Sequence, residues 1–194
     1  PMWRRFFGFK DEDPSRSRPR QRKEQNLGSG VIVSADGYVL SNNHVVEGAD
    51  ELKVALAAGK DQYNAKIVGS DPQTDIAVLK IDTSIGPLAF LPLADSDQVR
   101  EGEWVVAIGA PNGLAGTVTA GVITATPNPL DLDVFAGFLQ KDAAMGRGNA
   151  GGPLVSQAGE IVGLSIGVGT EGVGYARPAT TVRKIYRELV EKDA

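Results

Sequence analysis

Residues 29–41, SGVIVSADGYVLS, decide the fold class. Two apolar runs, Val31 to Val33 and Tyr38 to Leu40, flank the dipeptide Asp36-Gly37. An Asp-Gly pair between two runs rich in β-branched and aromatic residues is typical of a tight antiparallel hairpin. The stretch therefore predicts two paired strands near the start of the folded part of the chain.

Short apolar runs between turn signals continue along most of the chain. Further predicted strands are ELKVAL, NAKIVG, DIAVLKI, EWVVAIG, TVTAGVITA, GPLVS, EIVGLSIGV and VGYA. Many short strands separated by Gly and Pro favour barrels or a sandwich. Residues 178–194 have the 3.6-residue apolar period of a helix, with Thr180 or Thr181 as its predicted cap. The stretch 93–104, LADSDQVREGEW, indicates a linker between an earlier and a later cluster of strands.

The composition bounds the class of protein. The chain has 194 residues, 42% hydrophobic and 23% charged, a net charge of -4 and no cysteine. This length allows one sizeable core or two small barrels. The charge gives no reason to expect a nucleic-acid partner, and without cysteine there is no disulfide, thiolate nucleophile or Cys-ligated metal. No apolar run approaches the roughly 18 residues of a transmembrane segment, so none is expected.

Residues 1–26 differ in composition from the rest of the chain. They open with four aromatic side chains, Trp3, Phe6, Phe7 and Phe9. Residues 10–24 are charged and poor in apolar side chains, which predicts a mobile, solvated loop. We expect the aromatic part to pack on the domain or on a neighbouring subunit, because such side chains are costly to leave in water.

Three features could carry chemistry. His44 is the single histidine, Asp75 stands before an apolar strand, and residues 148–154 read GNAGGPL. Taken alone, each has an ordinary structural explanation: a histidine packed beside valines, a turn residue, and a Gly-rich connection. Together they follow the order His, Asp, glycine-framed loop that chymotrypsin-like proteases use.

Five blocks in the same order give the chain a resemblance to the HtrA family of trimeric serine proteases, the DegP and DegQ type. They are LGSGVIVSADGYVLSNNHVVEGAD, VGSDPQTDIAVLKID, VVAIGAPNGLAGTVTAGVITA, FLQKDAAMGRGNAGGPLVSQAGEIVGLSIG and GVGYARP. The resemblance implies an all-β fold with two six-stranded antiparallel barrels of the chymotrypsin type and a C-terminal helix. We expect an N-terminal arm at 1–26 and a protease domain at 27–194. Within it, the barrels span about 27–95 and 96–178, and the helix spans 179–194.

The resemblance also implies roles for the three features. His44 accepts the nucleophile's proton, Asp75 orients the imidazole, and position 150 holds the nucleophile. The family motif GNSGGP differs here at one position, because its serine is Ala150. Gly148, Asn149 and Ala150 are the expected oxyanion loop. The chain is therefore expected to bind peptide without forming an acyl-enzyme.

Substrate contacts follow from the same resemblance. Met145 and Val168 are the expected walls of the pocket for the side chain before the scissile bond, and their apolar character predicts small or medium aliphatic residues there; simple core packing is the alternative for both. A substrate strand is expected to add to Leu164, Ser165, Ile166 and Val168. Gly146 and Arg177 depart from the usual family residues, which are Asn and an aliphatic residue.

The expected function is a serine endopeptidase of protein quality control, with chaperone activity, in the periplasm or cell envelope of a bacterium. Its expected partners are unfolded or extended polypeptides, and we expect a homotrimer formed through Trp3, Phe6 and Phe7. The family's PDZ domains are expected to be absent from this chain, and no cofactor or metal is expected.

Two explanations remain for Ala150. One is a deliberate Ser→Ala change in an active protease, and the other is a natural pseudoprotease that binds polypeptides as a scaffold or chaperone. Drift after loss of activity would erode several positions, yet His44, Asp75 and the loop glycines are intact. This pattern favours the deliberate change. Ser156 or Ser165 as a substitute nucleophile, or a zinc site built on one histidine, has little support.

Overall fold

The computed structural model describes residues 27–57, 62–82, 84, 86–111, 116–128, 137–146, 148–169 and 172–193. The strands in these ranges are β1 (Val31–Ile32), β2 (Tyr38–Ser41), β3 (Leu52–Ala55), β4 (Gln62–Asp71), β5 (Ile76–Ile81), β6 (Trp104–Gly109), β7 (Thr117–Ala125), β8 (Leu139–Lys141), β9 (Pro153–Ser156), β10 (Ile161–Val168) and β11 (Gly174–Pro178). The helices are α1 (Asn43–Val46) and α2 (Ala179–Asp193), and Ser96–Gln98 form a 3-10 turn.

The hairpin predicted from residues 29–41 is confirmed. β1 and β2 pair antiparallel, with Val31 opposite Leu40. Gly37 has a φ of 95°, in the region where glycine carries no steric cost. Leu40 is completely buried, so the hairpin contributes directly to the core.

The strands form one open sheet and one closed barrel, all by antiparallel pairing. β1 to β5 make a five-stranded sheet in the order β1-β2-β5-β4-β3, and β6 to β11 close into a six-stranded barrel in the order β10-β11-β8-β7-β6-β9. The predicted all-β, chymotrypsin-like fold with a C-terminal helix is confirmed, with five strands in the first sheet over the described ranges. Strand β8 is not among the predicted strands, because its three residues end in a charged side chain, Lys141, at a position where an apolar one is expected.

Helix α2 packs across both groups of strands. Val182 is 1% exposed and belongs to a core cluster that holds Leu40 from the first sheet and Leu164 from the barrel. The other apolar residues of the predicted helix face, Ile185, Tyr186, Leu189 and Val190, pack against this cluster. The predicted helix is therefore confirmed, and its apolar stripe joins the two halves of the fold.

The predicted cap of this helix is wrong. The helix starts at Ala179, directly after β11, so Thr180 and Thr181 lie inside its first turn. The Thr180 N–H donates instead to the Ser96 hydroxyl, 3.0 Å away, in the stretch predicted as a linker. The cap thus comes from tertiary packing, which a local capping rule cannot supply.

The predicted linker, 93–104, is bonded to the barrel, and the residues just before it are bonded to the first sheet. The Leu91 N–H donates to the Ile32 carbonyl at 3.1 Å, and the Ala94 N–H donates to the Ile161 carbonyl at 2.8 Å. The limits expected for the arm and the two barrels stay predictions. Trp3, Phe6 and Phe7 lie outside the described residues. In the described ranges, no helix is both long and apolar enough to cross a membrane.

Candidate active site

His44 and Asp75 form a direct pair. Helix α1 follows β2 almost at once and carries His44, whose Nδ1 lies 2.7 Å from Asp75 Oδ2. The backbone N–H of His44 also donates to Asp75 Oδ1, at 2.9 Å. The Asp75 side chain is 1% exposed and that of His44 is 11% exposed. A neutral imidazole that donates from Nδ1 keeps Nε2 as an acceptor, which is the tautomer that a general base needs.

Asp75 is held in an uncommon backbone conformation. Its φ of 61° is the only positive value for a non-glycine residue in the described ranges. The carbonyl of Asp75 accepts hydrogen bonds from Asn42 Nδ2 at 3.0 Å and from the Asn43 N–H at 3.1 Å. Aspartate tolerates this region better than most residues, and such strain persists where the surroundings fix it. The turn therefore aims the carboxylate at His44.

The GNAGG loop needs its glycines for space as well as for conformation. Gly148 and Gly151 have φ values of 99° and 85°. A side chain on Gly148 would begin 2.5 Å from the Ala110 carbonyl oxygen, and one on Gly151 would collide with the Ser29 carbonyl. The backbone of the loop thus approaches neighbouring backbone too closely for any other residue.

Ser29 connects the hairpin to this loop, and the sequence analysis missed it. Its N–H donates to the Ala150 carbonyl at 2.8 Å, and its hydroxyl donates to the Gly148 carbonyl at 2.5 Å. The same hydroxyl accepts the Ala110 N–H at 2.8 Å, while the Ser29 carbonyl accepts the Ser41 hydroxyl at 2.7 Å. A serine between two glycines gave no local signal of this role, because its partners lie up to 121 residues away.

Some backbone N–H groups of the loop donate hydrogen bonds to described residues, and others do not. Asn149 donates to the Gly146 carbonyl at 3.2 Å, so its N–H is used within the turn, and its expected place in the oxyanion hole stays a prediction. The Gly151 N–H is engaged too, by the Ser165 carbonyl at 2.8 Å. Among the described residues, the N–H groups of Gly148 and Ala150 have no hydrogen-bond acceptor.

Strand β10 offers a shorter open edge than predicted. Leu164 pairs with Pro153 on one side and Arg177 on the other, and its side chain is completely buried. Leu164 therefore has no open strand edge, and its expected role as a substrate contact stays a prediction. Its neighbour Ser165 exchanges backbone hydrogen bonds with the GNAGG loop. The following residues, 166–168, lie past the last pair with β9 and border β11 alone among the named strands.

The structure brings the two predicted pocket residues to one place. Gly174 in β11 pairs with Val168 in β10. A side chain built on Gly174 would begin 3.1 Å from the Met145 sulfur. Val168 and Met145 thus border the same glycine. On its other side Gly174 pairs with Lys141, a residue that the sequence analysis did not single out.

The family of trypsin-like peptidase domains matches residues 28–164. The chain belongs to this family. A trypsin-like relative from Marinomonas sp. (strain MWYL1), named as a probable periplasmic serine endoprotease DegP-like, is 41% identical over 196 residues, which is 97% of this chain and 40% of the relative. The chain spans about two fifths of the length of the curated relatives that it matches. The predicted periplasmic location is confirmed, because these relatives are named as periplasmic.

Two solved structures of trypsin-like proteases match the fold closely. The HtrA-type protease AlgW with a decapeptide is 44% identical, with a TM-score of 0.76, over 85% of this chain and 52% of that one. The serine-to-alanine variant AlgWS227A with a tripeptide is also 44% identical, with a TM-score of 0.78, over 88% of this chain and 57% of that one. The resemblance to HtrA-type proteases is therefore confirmed at the level of homology.

Arg177 has a defined place in this trypsin-like domain. Its Nε–H donates to the Thr74 carbonyl at 3.0 Å, and its guanidinium stacks 4.1 Å from the centre of the Phe138 ring. Burial lowers the pKa of Arg177 to about 10, and the carboxylates of Asp75 and Asp71 partly offset this. The departure from the family pattern thus places a cation beside the turn that carries Asp75.

Proposed function

We propose that the chain is the protease domain of a serine endopeptidase of protein quality control, with the nucleophile position occupied by Ala150. The observation that carries the proposal is the His44–Asp75 pair, with Nδ1 2.7 Å from the carboxylate. The GNAGG loop lies against the same segment, since a side chain on Gly151 would begin 3.1 Å from the backbone nitrogen of Asn42. Homology to HtrA-type proteases supports this assignment.

With serine at position 150, each group has a step to perform. The serine hydroxyl would transfer its proton to Nε2 of His44 while its oxygen attacks the peptide carbonyl. Asp75 holds the ring by its Nδ1–H and stabilises the imidazolium that forms. His44 then returns the proton to the leaving amine, and a water molecule activated in the same way hydrolyses the acyl-enzyme.

The loop would stabilise the negative charge that develops on the carbonyl oxygen. The open N–H groups of Gly148 and Ala150 are the donors for this oxyanion, and both survive the loss of the serine hydroxyl because they belong to the backbone. Residues 166–168 would pair with the substrate backbone as an added antiparallel strand. Recognition through the backbone suits an extended, unfolded polypeptide.

Ala150 would leave a domain that binds peptide without cleaving it. The intact pair and loop support a deliberate Ser→Ala change, and the solved relative AlgWS227A is a serine-to-alanine variant with a tripeptide. The alternative is a natural pseudoprotease that acts as a polypeptide-binding scaffold or chaperone. The observation in its favour is the alanine itself, which removes the attacking oxygen.

Restoring the hydroxyl tests the proposal. The change Ala150→Ser should give cleavage of reduced casein, an unfolded substrate. Adding His44→Ala should abolish this cleavage, and adding Asp75→Asn should lower the rate by about 10⁴-fold, because the imidazole then loses its orienting carboxylate. A folded Ala150→Ser chain that cleaves neither casein nor short peptides would contradict the endopeptidase function and leave polypeptide binding as the function.

The assembly is a separate part of the proposal. We propose a homotrimer held by Trp3, Phe6 and Phe7 and a longer protein with PDZ domains; the chain's coverage of only about two fifths of its curated relatives is consistent with further domains. Sedimentation at micromolar concentration should give the mass of a trimer, and changing the three aromatic residues to serine should give a monomer. A monomeric starting chain would contradict the trimer.

A further inference from the structure

Lys141 is a charged side chain in the interior of the barrel. It lies in β8, opposite Ile123 in β7 and Gly174 in β11, and it is completely buried. Its Nζ donates one hydrogen bond, to the Ala143 carbonyl at 3.0 Å. An ammonium group has three donors, and among the described residues Lys141 has neither a second acceptor nor an ion pair. Buried charges are normally paired, so this one calls for a physical explanation.

The neighbouring carboxylate does not pair with it. Asp142 follows Lys141 in the chain, but its side chain is exposed on the other face of the strand, where Oδ1 accepts the Val122 N–H at 2.7 Å. Burial lowers the pKa of Lys141 to about 8, and the charge of Asp142 offsets only part of this effect. The amine therefore remains mostly protonated at neutral pH, and none of the described residues forms an ion pair with it.

The ammonium group packs against Gly174, the glycine that both proposed pocket residues border. Gly174 has no side chain, and a methyl group on it would begin 2.9 Å from Lys141 Nζ and 3.1 Å from the Met145 sulfur. The two strand neighbours of Gly174 are Lys141 and Val168. The place of a side chain on Gly174 is therefore already filled by the charged end of Lys141 and the sulfur of Met145, and Val168 borders the same glycine.

An ammonium group beside the proposed pocket residues favours a substrate side chain that carries negative charge. An aliphatic side chain would leave the ammonium unpaired in a dry site, whereas a carboxylate would compensate its charge and use its open donors. Met145 is an unbranched, flexible side chain and can move to admit the longer residue. Glutamate and aspartate are the substrate side chains that carry a carboxylate.

We propose that Lys141 determines the specificity of the protease site and selects an acidic residue, glutamate or aspartate, immediately before the scissile bond. The inference rests on the proposed endopeptidase function and changes the aliphatic preference expected from Met145 and Val168. Those two residues would contact the methylene groups of the substrate side chain, and Lys141 would bind its carboxylate.

The experiment compares peptides that differ only in the residue before the scissile bond: glutamate, glutamine, aspartate, valine and alanine. Glutamate and glutamine are isosteric and differ in charge, so they are the matched pair. In the Ala150→Ser chain, kcat/KM for the glutamate peptide should exceed that for the glutamine peptide by about 10-fold or more. Lys141→Met should remove this ratio, and Lys141→Arg should retain a preference for the acid.

Equal rates for glutamate and glutamine, with valine preferred, would overturn the proposal. If Lys141→Met fails to fold, the ratio of kcat/KM for the glutamate and glutamine peptides, measured with Lys141 in place, decides the proposal alone. If the Ala150→Ser chain cleaves no peptide, the endopeptidase function fails, and binding to the Ala150 chain becomes the test. Fluorescence anisotropy with the same peptides should then show tighter binding of the glutamate peptide by the same factor, and equal binding would overturn the inference separately.

Discussion

Replacing Lys141 with methionine should stabilise the folded chain by about 2 kcal/mol at pH 7, as the balance of two opposing effects. Burial lowers the pKa of this lysine from 10.5 to about 8. A difference of about 2.5 pH units corresponds to about 3 kcal/mol of unfavourable free energy for the charged form in the folded state. Methionine removes that cost but also loses the hydrogen bond to the Ala143 carbonyl, worth about 1 kcal/mol.

The stability gained by Lys141→Met should decrease as the pH rises. Between pH 8 and 10.5 the unfolded chain keeps the Lys141 proton while the folded chain loses it, so the unfolded state binds more protons. The free energy of unfolding of the lysine protein therefore rises with pH in this window through this group. The methionine variant lacks that rise. The advantage of the variant should consequently shrink by about 2 kcal/mol between pH 7 and pH 10.

Urea unfolding of the Ala150 chain measures this effect, because a chain without the nucleophile should not digest itself during the experiment. Lys53→Met is the matched control, since Lys53 is about half exposed and its only described ion pair, with Glu51, is also exposed. That change should alter the free energy of unfolding by less than about 0.5 kcal/mol, with no trend between pH 7 and pH 10. A Lys141→Met variant that is no more stable at pH 7, or whose advantage is constant with pH, would refute the reasoning.

Two further changes test the loop that carries Ala150. Gly151→Ala should destabilise the chain by about 2 kcal/mol or more, because it adds a collision with the Ser29 carbonyl to an unfavourable φ. Gly159 has a similar φ of 77°, but a side chain on it would meet no atom within 4 Å, so Gly159→Ala should lower the free energy of unfolding in urea by only about 1 kcal/mol. Equal losses of stability in the two variants would contradict the role of the Ser29 carbonyl. Ser29→Ala, in the Ala150→Ser background, should lower casein cleavage about 10-fold or more, because the Gly148 carbonyl loses its hydroxyl donor. Unchanged cleavage would show that Ser29 does not position the loop.

The fold was predictable where the signal is local. The Asp36-Gly37 turn and its two apolar runs specify a hairpin within 13 residues, and the structure contains it. The apolar stripe of α2 likewise specifies a helix face from its own period. The cap of that helix depends on Ser96, 84 residues away, and β8 depends on pairing with β7 and β11. Neither the cap nor β8 can be predicted from the intrinsic propensities of the residues in its own segment.

For the candidate site, the sequence indicated residues but not their geometry. The order of His44, Asp75 and the glycine loop along the chain indicated one candidate site. In the structure, His44 Nδ1 lies 2.7 Å from Asp75 Oδ2. The positive φ of Asp75 and the four hydrogen bonds of Ser29 depend on contacts between distant segments. The hydrogen bond of the Asn149 N–H and the two-sided pairing of Leu164 have the same origin, because neighbours in space already use their backbone groups.

Lys141 shows how stability and recognition can be separated in this domain. The buried Lys141 ammonium, which has no ion pair with the part of the chain that the structure describes, lowers stability, and a chain under no other constraint would gain by replacing it with an apolar residue. If Lys141→Met raises the free energy of unfolding and also removes the preference for glutamate over glutamine, the charge serves binding at the expense of folding. If it raises stability and leaves that preference unchanged, the pocket does not use the charge, and the specificity argument fails while the electrostatic argument stands. The free energy of unfolding therefore tests what it costs to bury the Lys141 charge, and the preference for glutamate over glutamine tests whether that charge binds substrate.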